Sequence, residues 1–336
     1  MTARNSIIPV FVPHLGCPND CVFCNQRRIS GEKEAATAET VKNAIEKAAA
    51  LTPSGTKRQL AFYGGSFTAI PKSSQTELLQ AAAPYLENGT IDSIRLSTRP
   101  DAIDGEVLKR LRHYGVRTIE LGAQSMNDRV LALSGRGHSA KDVEDASRLI
   151  MADGFELILQ MMTGLPGDSE ETAVETARRM IALHPNGVRI YPTVIVRDTA
   201  LYDMWRSGSY TEHDVEAAVS VCARLVPMFE EAGIPIIRLG LNPTEELSGG
   251  AAVGGAYHPA LGELVYSRIM LNSARKLLSD VHGGSVTLGV NASDVSKMVG
   301  QHRCNVETLK REHSLDALKI KSCDTEKGKI VILAIE

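Results

Sequence analysis

Apolar residues recur along this chain with two periods. Short runs rich in β-branched and aromatic side chains stand at 6–12 (SIIPVFV), 59–63 (QLAFY), 93–99 (SIRLSTR), 118–124 (TIELGAQ), 156–164 (ELILQMMTG), 187–194 (GVRIYPTV) and 234–240 (IPIIRLG). They predict strands. Between them lie helix-patterned segments at 38–51, 104–115, 139–154 and 169–183. Several open on Ser, Thr or Asp and stop just before Gly, as helix caps require. Repeated strand–helix units imply right-handed crossovers and a parallel sheet. Six or seven of them predict an α/β fold, a partial parallel (βα)6-type TIM-like barrel, in which ligands sit at the carboxyl ends of the strands.

After residue 240 the pattern changes. SGGAAVGG (248–255) reads as a small-residue loop, and a long helix at about 260–280 follows it. The expected organisation is a barrel domain over 1–245, a connecting loop and helix packing on it over 246–284, and a small α/β domain over 285–336. The tail alternates strand, helix, a turn on GQHR (300–303), helix, strand, strand.

Composition narrows the class. At 336 residues with a formal net charge of −3, the chain has room for one barrel-sized domain and an appendage, and no overall attraction to nucleic acid or anionic lipid. No stretch approaches 18 uninterrupted apolar residues, and the apolar run near the start is too short for a signal-peptide core. The reading is a cytoplasmic protein with reduced thiols, where clustered cysteines point to metal before disulfide.

The unusual residues fall where barrel ligands belong. HLGCPNDCVFCNQR (14–27) follows the first strand, GGSFT (64–68) the second, TRPD (98–101) the third, AQS (123–125) the fourth and TGLPGD (163–168) the fifth. Cys17, Cys21 and Cys24 are three of six cysteines, packed into eight residues. A structural zinc needs four ligands, so His14 would complete a Cys3His set. The alternative is a 4Fe–4S cluster, three of whose irons take cysteine thiolates while the fourth stays open. Gly16 and Pro18 would shape that loop. Its place at a catalytic rim favours the cluster. Cys222, Cys304 and Cys323 have no compact ligand spacing and read as structural.

Cys-x3-Cys-x2-Cys with Phe23 before the last cysteine resembles the signature of the radical S-adenosylmethionine (SAM) superfamily. GGSFT resembles that family's glycine-rich strand end, where glycines let backbone approach the methionine part of SAM. STRPD (97–101), ELGAQSMNDRVLALSGRGH (120–138), TGLPGD and RIYPTVIVRDTALYDMWRSGSY (189–210) together resemble the radical domain of the Elongator catalytic subunit. They resemble more distantly the anaerobic coproporphyrinogen dehydrogenases. The resemblance implies a cluster on Cys17, Cys21 and Cys24. It implies SAM held among Phe23, Gly64, Gly65, Ser66, Thr98, Gln124, Arg136 and Gln160. It further implies cleavage of SAM to a 5′-deoxyadenosyl radical that abstracts hydrogen, and a low-potential electron donor such as flavodoxin or ferredoxin. Two positions depart from the pattern: Ser97 stands where Elongator has Glu, and Gln160 where the porphyrin enzymes have Asp. The resemblance is to the radical domain without Elongator's acetyltransferase domain, for which these 336 residues are expected to leave no room, so an acetyl-CoA reaction is not part of what it implies. Arg99 reads equally as a ligand or as the partner of a rim carboxylate, and His138 as a surface or cap residue.

The tail is similar to a minimal KH module, which clamps single-stranded nucleic acid over a GXXG loop. Gly300 is kept and Arg303 replaces the second glycine. Eight Lys or Arg against five acids over 297–329 leave a mild +3. The expected substrate is RNA, with tRNA base modification implied by the Elongator resemblance. The alternatives are oxidation or rearrangement of a small or porphyrin-like molecule, and a non-catalytic cluster or haem carrier.

Overall fold

The computed structural model describes residues 5–12, 17, 21–25, 29 and 35–336. Two compact units emerge, one of Met1–Asp214 with Met228–Tyr257, the other of Val215–Pro227 with His258–Glu336.

The first unit is built on strands β1 (Asn5–Phe11), β2 (Lys57–Tyr63), β3 (Ser93–Thr98), β4 (Val116–Gln124), β5 (Glu156–Thr163), β6 (Gly187–Pro192), β7 (Val194–Val196), β8 (Ile236–Leu239) and β9 (Ala252–Gly255). Among the described residues a seven-stranded sheet runs in the order β1-β2-β3-β4-β5-β6-β8. Every pairing in it is parallel. The expected strand and helix alternation is therefore present. Helices Ala38–Leu51, Gly105–His113, Ala140–Ala152 and Glu170–Ile181 fill the predicted segments. Thr37, Ser139 and Ser169 close capping boxes, and Asp104 accepts from the Val107 N–H. Gly115 and Gly154 take the positive φ of a left-handed C-cap.

The alternation of side chains decides the interior. Leu60, Phe62, Ile94, Leu96, Ile119, Leu121, Leu157, Leu159, Val188 and Ile190 are buried on one face. Their neighbours in sequence, Gln59, Tyr63, Arg95, Glu120, Gln160 and Arg189, point to the other face and are polar. Strands lie about 4.8 Å apart, so four steps on a flat sheet would separate β2 from β6 by about 19 Å, too far for side chains standing upright. Yet Arg189 Nη2 of β6 donates to the Tyr63 hydroxyl of β2 at 2.9 Å. The sheet is curled, and its polar face lines a lumen.

Two expectations change. GVRIYPTV is not one strand. β6 ends at Pro192, and β7 turns away to pair antiparallel with β9. SGGAAVGG is not simply a loop, because it supplies β9. Gly255 has φ 78°, and a Cβ there would stand 2.5 Å from the Thr193 carbonyl oxygen. Small residues allow this close pairing.

The second unit carries helix Leu261–Leu277 and strands β10 (Ser285–Val290), β11 (Ala317–Ser322) and β12 (Ile330–Ile335). Helices Val295–Val299 and Cys304–Glu312 lie between β10 and β11. The three strands form a sheet in the order β11-β10-β12, with β10 parallel to β11 and antiparallel to β12. Met270, Leu271, Ala274 and Leu278 share one core with Val286, Leu288, Val290, Met298 and Leu309. The long helix thus shares its core with the small sheet. The turn after Gly300 holds His302 and Arg303 in left-handed backbone (φ 49° and 63°), which is unusual away from glycine.

Candidate active site at the carboxyl ends of the strands

The loop after β1 is fixed by its neighbours as far as it is described. Cys24 N–H donates to the Cys21 carbonyl at 3.0 Å, closing a turn. Val22 N–H donates to the Ser134 carbonyl, and its own carbonyl accepts from Leu201 N–H. Phe23 packs against Val130, Met162, Leu165 and Tyr191 on one side and among Ile195, Leu201 and Tyr210 on another. The aromatic therefore anchors the loop through apolar contact. His14, Gly16 and Pro18 lie outside the described residues.

Arg136 joins this loop to β4. Its Nη1 donates to Cys21 Sγ at 3.2 Å and its Nη2 to the Gly122 carbonyl at 2.7 Å. Cys17 is surface-accessible. Desolvation by surrounding protein, then the nearby Cys21 charge, push its thiol pKa up; Arg136, Arg99 and a backbone hydrogen bond from Ser66 oppose them. Two of the three thiols thus already share guanidinium surroundings, which suit an anionic thiolate-ligated group.

The glycine-rich end of β2 meets the end of β3 through hydroxyls. Thr98 Oγ1 lies 3.0 Å from Ser66 Oγ and 2.6 Å from Thr68 Oγ1. Arg99 N–H donates to Ser66 Oγ at 3.2 Å. Gly64 has φ 90°, a conformation that side chains resist. Arg99 itself pairs with Asp101 through Nε (2.6 Å) and Nη2 (3.0 Å), and its Nη2 also donates to the Arg136 carbonyl. Of its two readings, the rim ion pair is the one observed, and through it Arg99 steadies Arg136.

Gln124 and Gln160 come together on adjacent strands. Gln124 Nε2 donates to Gln160 Oε1 at 3.2 Å, and Gln160 Nε2 to Gln124 Oε1 at 2.7 Å. The pairing of β4 with β5 slips between Gly122 and Gln124, and Gln124 sits at φ 66°. A bulge that re-aims a side chain at a strand end is a frequent device of binding sites.

His138 departs from expectation. It is buried, with Nε2 3.2 Å from the Ala123 carbonyl and Nδ1 without a partner. Burial first, then the Arg136 charge, hold its pKa down to about 4, so the ring is neutral and Nε2 carries the proton. In TGLPGD, Gly164 N–H donates to Asp168, and its carbonyl accepts from the Tyr210 hydroxyl at 2.6 Å. Burial pushes the Asp168 pKa up. Elsewhere Cys222 is buried and Cys304 exposed, so only the first matches a core thiol. Tyr257 bonds Ser248, and His258 Nδ1 accepts from Ala260 N–H at the start of the long helix.

Below the rim the sequence hid a second cluster. Glu120 Oε1 accepts from Arg95 Nη1 at 2.8 Å and from Arg189 Nη2 at 3.0 Å. Arg189 also donates to the hydroxyls of Tyr191 and Tyr63. The signal existed: each of these charges interrupts an otherwise apolar strand run at a lumen-facing position.

The radical SAM superfamily model matches residues 11–180, half of the chain, and the C-terminal domain model of that family matches 185–270. The chain belongs to the radical SAM superfamily. It is a radical SAM enzyme, and the domain brings the family's cofactors, a 4Fe–4S cluster and SAM. Its relatives include Elongator complex protein 3 of Bos taurus, 25% identical over 248 residues, covering 68% of this chain and 44% of that protein. A tRNA uridine(34) acetyltransferase of Methanocaldococcus infernus is 28% identical over 174 residues, covering 51% and 32%. The chain thus spans less than half the length of these relatives. Among solved structures, the archaeal Elp3 of Methanocaldococcus infernus has a TM-score of 0.63 at 22% identity, covering 80% of this chain and 63% of the other. That likeness supports the fold of the radical SAM enzyme. No helix among the described residues is long and apolar enough to cross a membrane.

Proposed function

We propose that Cys17, Cys21 and Cys24 hold the 4Fe–4S cluster, and that Phe23, Gly64, Gly65, Ser66, Thr98, Gln124, Arg136 and Gln160 form the SAM site beside it. We further propose that the substrate is RNA, modified at a tRNA base. When bound, the cofactor pair supplies one-electron cleavage of SAM and hydrogen abstraction. The observation that carries the reading is Arg136 spanning Cys21 Sγ and the Gly122 carbonyl, because it ties the cysteine loop to the end of β4. The same guanidinium can neutralise anionic thiolates or a carboxylate of the ligand.

The remaining residues position and shelter. Positive φ at Gly64 brings backbone to the rim without a Cβ in the way. The Gln124–Gln160 pair presents amide donors and acceptors that can exchange partners for ribose hydroxyls. The hydroxyl group of Thr98 is buried with Ser66 and Thr68, so it fixes the strand end and shields it from water. The low-potential electron donor remains part of this proposal.

RNA as substrate draws on the relatives, one of which is named for its action on tRNA. The tail adds support through Arg303 at a strained turn and the modest positive balance of 297–329. The test uses anaerobically reconstituted protein with SAM and dithionite, and measures 5′-deoxyadenosine with and without bulk tRNA. Formation of 5′-deoxyadenosine stimulated by tRNA is expected. Formation without stimulation removes RNA as the substrate, and no product from a fully loaded cluster points to a carrier.

A further inference from the structure

The lumen cluster has more positive charge than its own residues balance. Arg95 and Arg189 share the one carboxylate of Glu120. Side-chain exposure is 11% for each arginine and 5% for the glutamate, so the group is largely desolvated yet reachable from the lumen. Arg95 Nε and Arg189 Nε are buried N–H donors with no partner among the described residues. The Tyr63 phenol beside them brings no compensating charge. Burial, then Glu120, push the Tyr63 pKa up to about 12, so its hydroxyl stays protonated. Desolvation would lower the Arg189 pKa, but the Glu120 charge and the hydrogen bond to the Tyr191 hydroxyl outweigh it, so the pKa is raised. Glu156, at the exposed start of β5, is engaged by the Thr118 hydroxyl at 2.6 Å, one layer further from the rim.

An under-compensated buried guanidinium is costly, by several kcal/mol in general, and unmet buried donors add to that cost. A second strand-borne carboxylate would remove the imbalance, but Ser97 and Tyr191 occupy the nearby lumen positions on β3 and β6, and Ser97 Oγ only donates to Glu120. The arrangement makes sense if the missing negative charge arrives with a ligand. The lumen lies next to the rim: Glu120 is two residues before Gly122, whose carbonyl holds Arg136, and Arg189 pairs in register with Gln160.

We propose that Arg95 and Arg189 form a subsite for an oxyanion, a carboxylate or phosphate carried by the substrate or a co-substrate, directly beneath the SAM site. Planar guanidinium groups hold such anions through paired N–H donors, while Tyr63 and Tyr191 fix the orientation of Arg189. Glu120 spaces the two arginines. This deepens the radical SAM reading by giving the chemical class of what the lumen accepts, and it rests on that reading for the use to which the anion is put.

The test titrates inorganic phosphate, and separately acetate and uridine monophosphate, into the reconstituted holoprotein at constant ionic strength by calorimetry. Saturable binding to the wild type is expected. Arg189→Gln should weaken it at least tenfold, and Glu120→Gln, which removes the competing carboxylate, should tighten it several-fold. The two variants move in opposite directions, which a merely structural cluster would not produce. Preference for acetate indicates a small acid, and preference for uridine monophosphate over phosphate indicates a nucleotide. If the Arg189 variant does not fold, the Glu120 variant decides: unchanged or weaker binding overturns the subsite, as does absence of saturable binding to the wild type. Iron content and 5′-deoxyadenosine formation on the same preparations report on the radical SAM reading separately. Anion binding without 5′-deoxyadenosine would sink that reading and leave the subsite, and the converse would do the reverse.

Discussion

The two sheets of this chain obey the same period-two rule and put polar residues to different uses. In the parallel sheet, the face toward the helices is apolar and the lumen face carries polar side chains tied from strand to strand: Tyr63, Arg95, Glu120 and Arg189 to one another, Gln59 to Ser93 and Gln160 to Gln124. In the three-stranded sheet, Val286, Leu288 and Val290 are buried in the core while Lys319 and Lys321 are exposed. Its outermost strand also leaves Val331, Leu333 and Ile335 exposed. A curled sheet can bury both faces, so polar side chains within it must satisfy each other and become rigid. An open three-stranded sheet sends them to water. Precise chemistry belongs with the first arrangement.

The comparison can be broken in three places. The largest effect is expected from Cys21→Ala, which should remove reconstituted iron and sulfide and abolish 5′-deoxyadenosine formation while circular dichroism stays that of a folded protein. Retained cluster would mean the thiolates are not its ligands. Next comes Leu288→Ala in the fully buried core of the small unit. Urea denaturation should show a loss of about 2–5 kcal/mol, with iron content unchanged under native conditions. Loss of the cluster along with stability would place the small sheet within the chemistry after all. The smallest effect at neutral pH comes from His138. Its folded pKa of about 4 lies below the unfolded value near 6.5. The unfolded chain therefore takes up the proton first as pH falls, and stability is lost from pH 6.5 downward, by about 3 kcal/mol at pH 4. His138→Asn should flatten that part of the pH–stability curve. An unchanged slope would show that the ring is not kept neutral by burial.

Much of the fold was legible. The helix at 38–51 has the predicted limits, because Thr37 can cap it and Thr52 leaves helical backbone. The six strands from β1 to β6 begin within two residues of the runs read from sequence, since each run has its own alternating pattern and its own bounding turn. The antiparallel pair β7–β9 was hidden. It joins residues 194–196 to 252–255, and no local pattern announces so distant a partner for a glycine-rich segment. His138 misled for a related reason. A histidine after Gly-Arg-Gly looks like loop surface, but β4 and Arg136 close over it.

The candidate site divides the same way. Cys17, Cys21, Cys24, the glycines after β2 and the amides of Gln124 and Gln160 could be listed from spacing and resemblance. Their grouping at one rim followed from the parallel topology that the strand–helix alternation required, because parallel strands put all their carboxyl ends on one side. Sequence by itself determined the strands and helices of the main alternation, their order and which face of each strand would be polar. Tertiary structure alone decided that Gln124 would meet Gln160 across a bulge, that Arg136 would reach Cys21, and that Arg95 and Arg189 would share Glu120. Those contacts depend on how tightly the sheet curls and where its register slips. Both are set by the packing of many residues together, and no single stretch of chain encodes them.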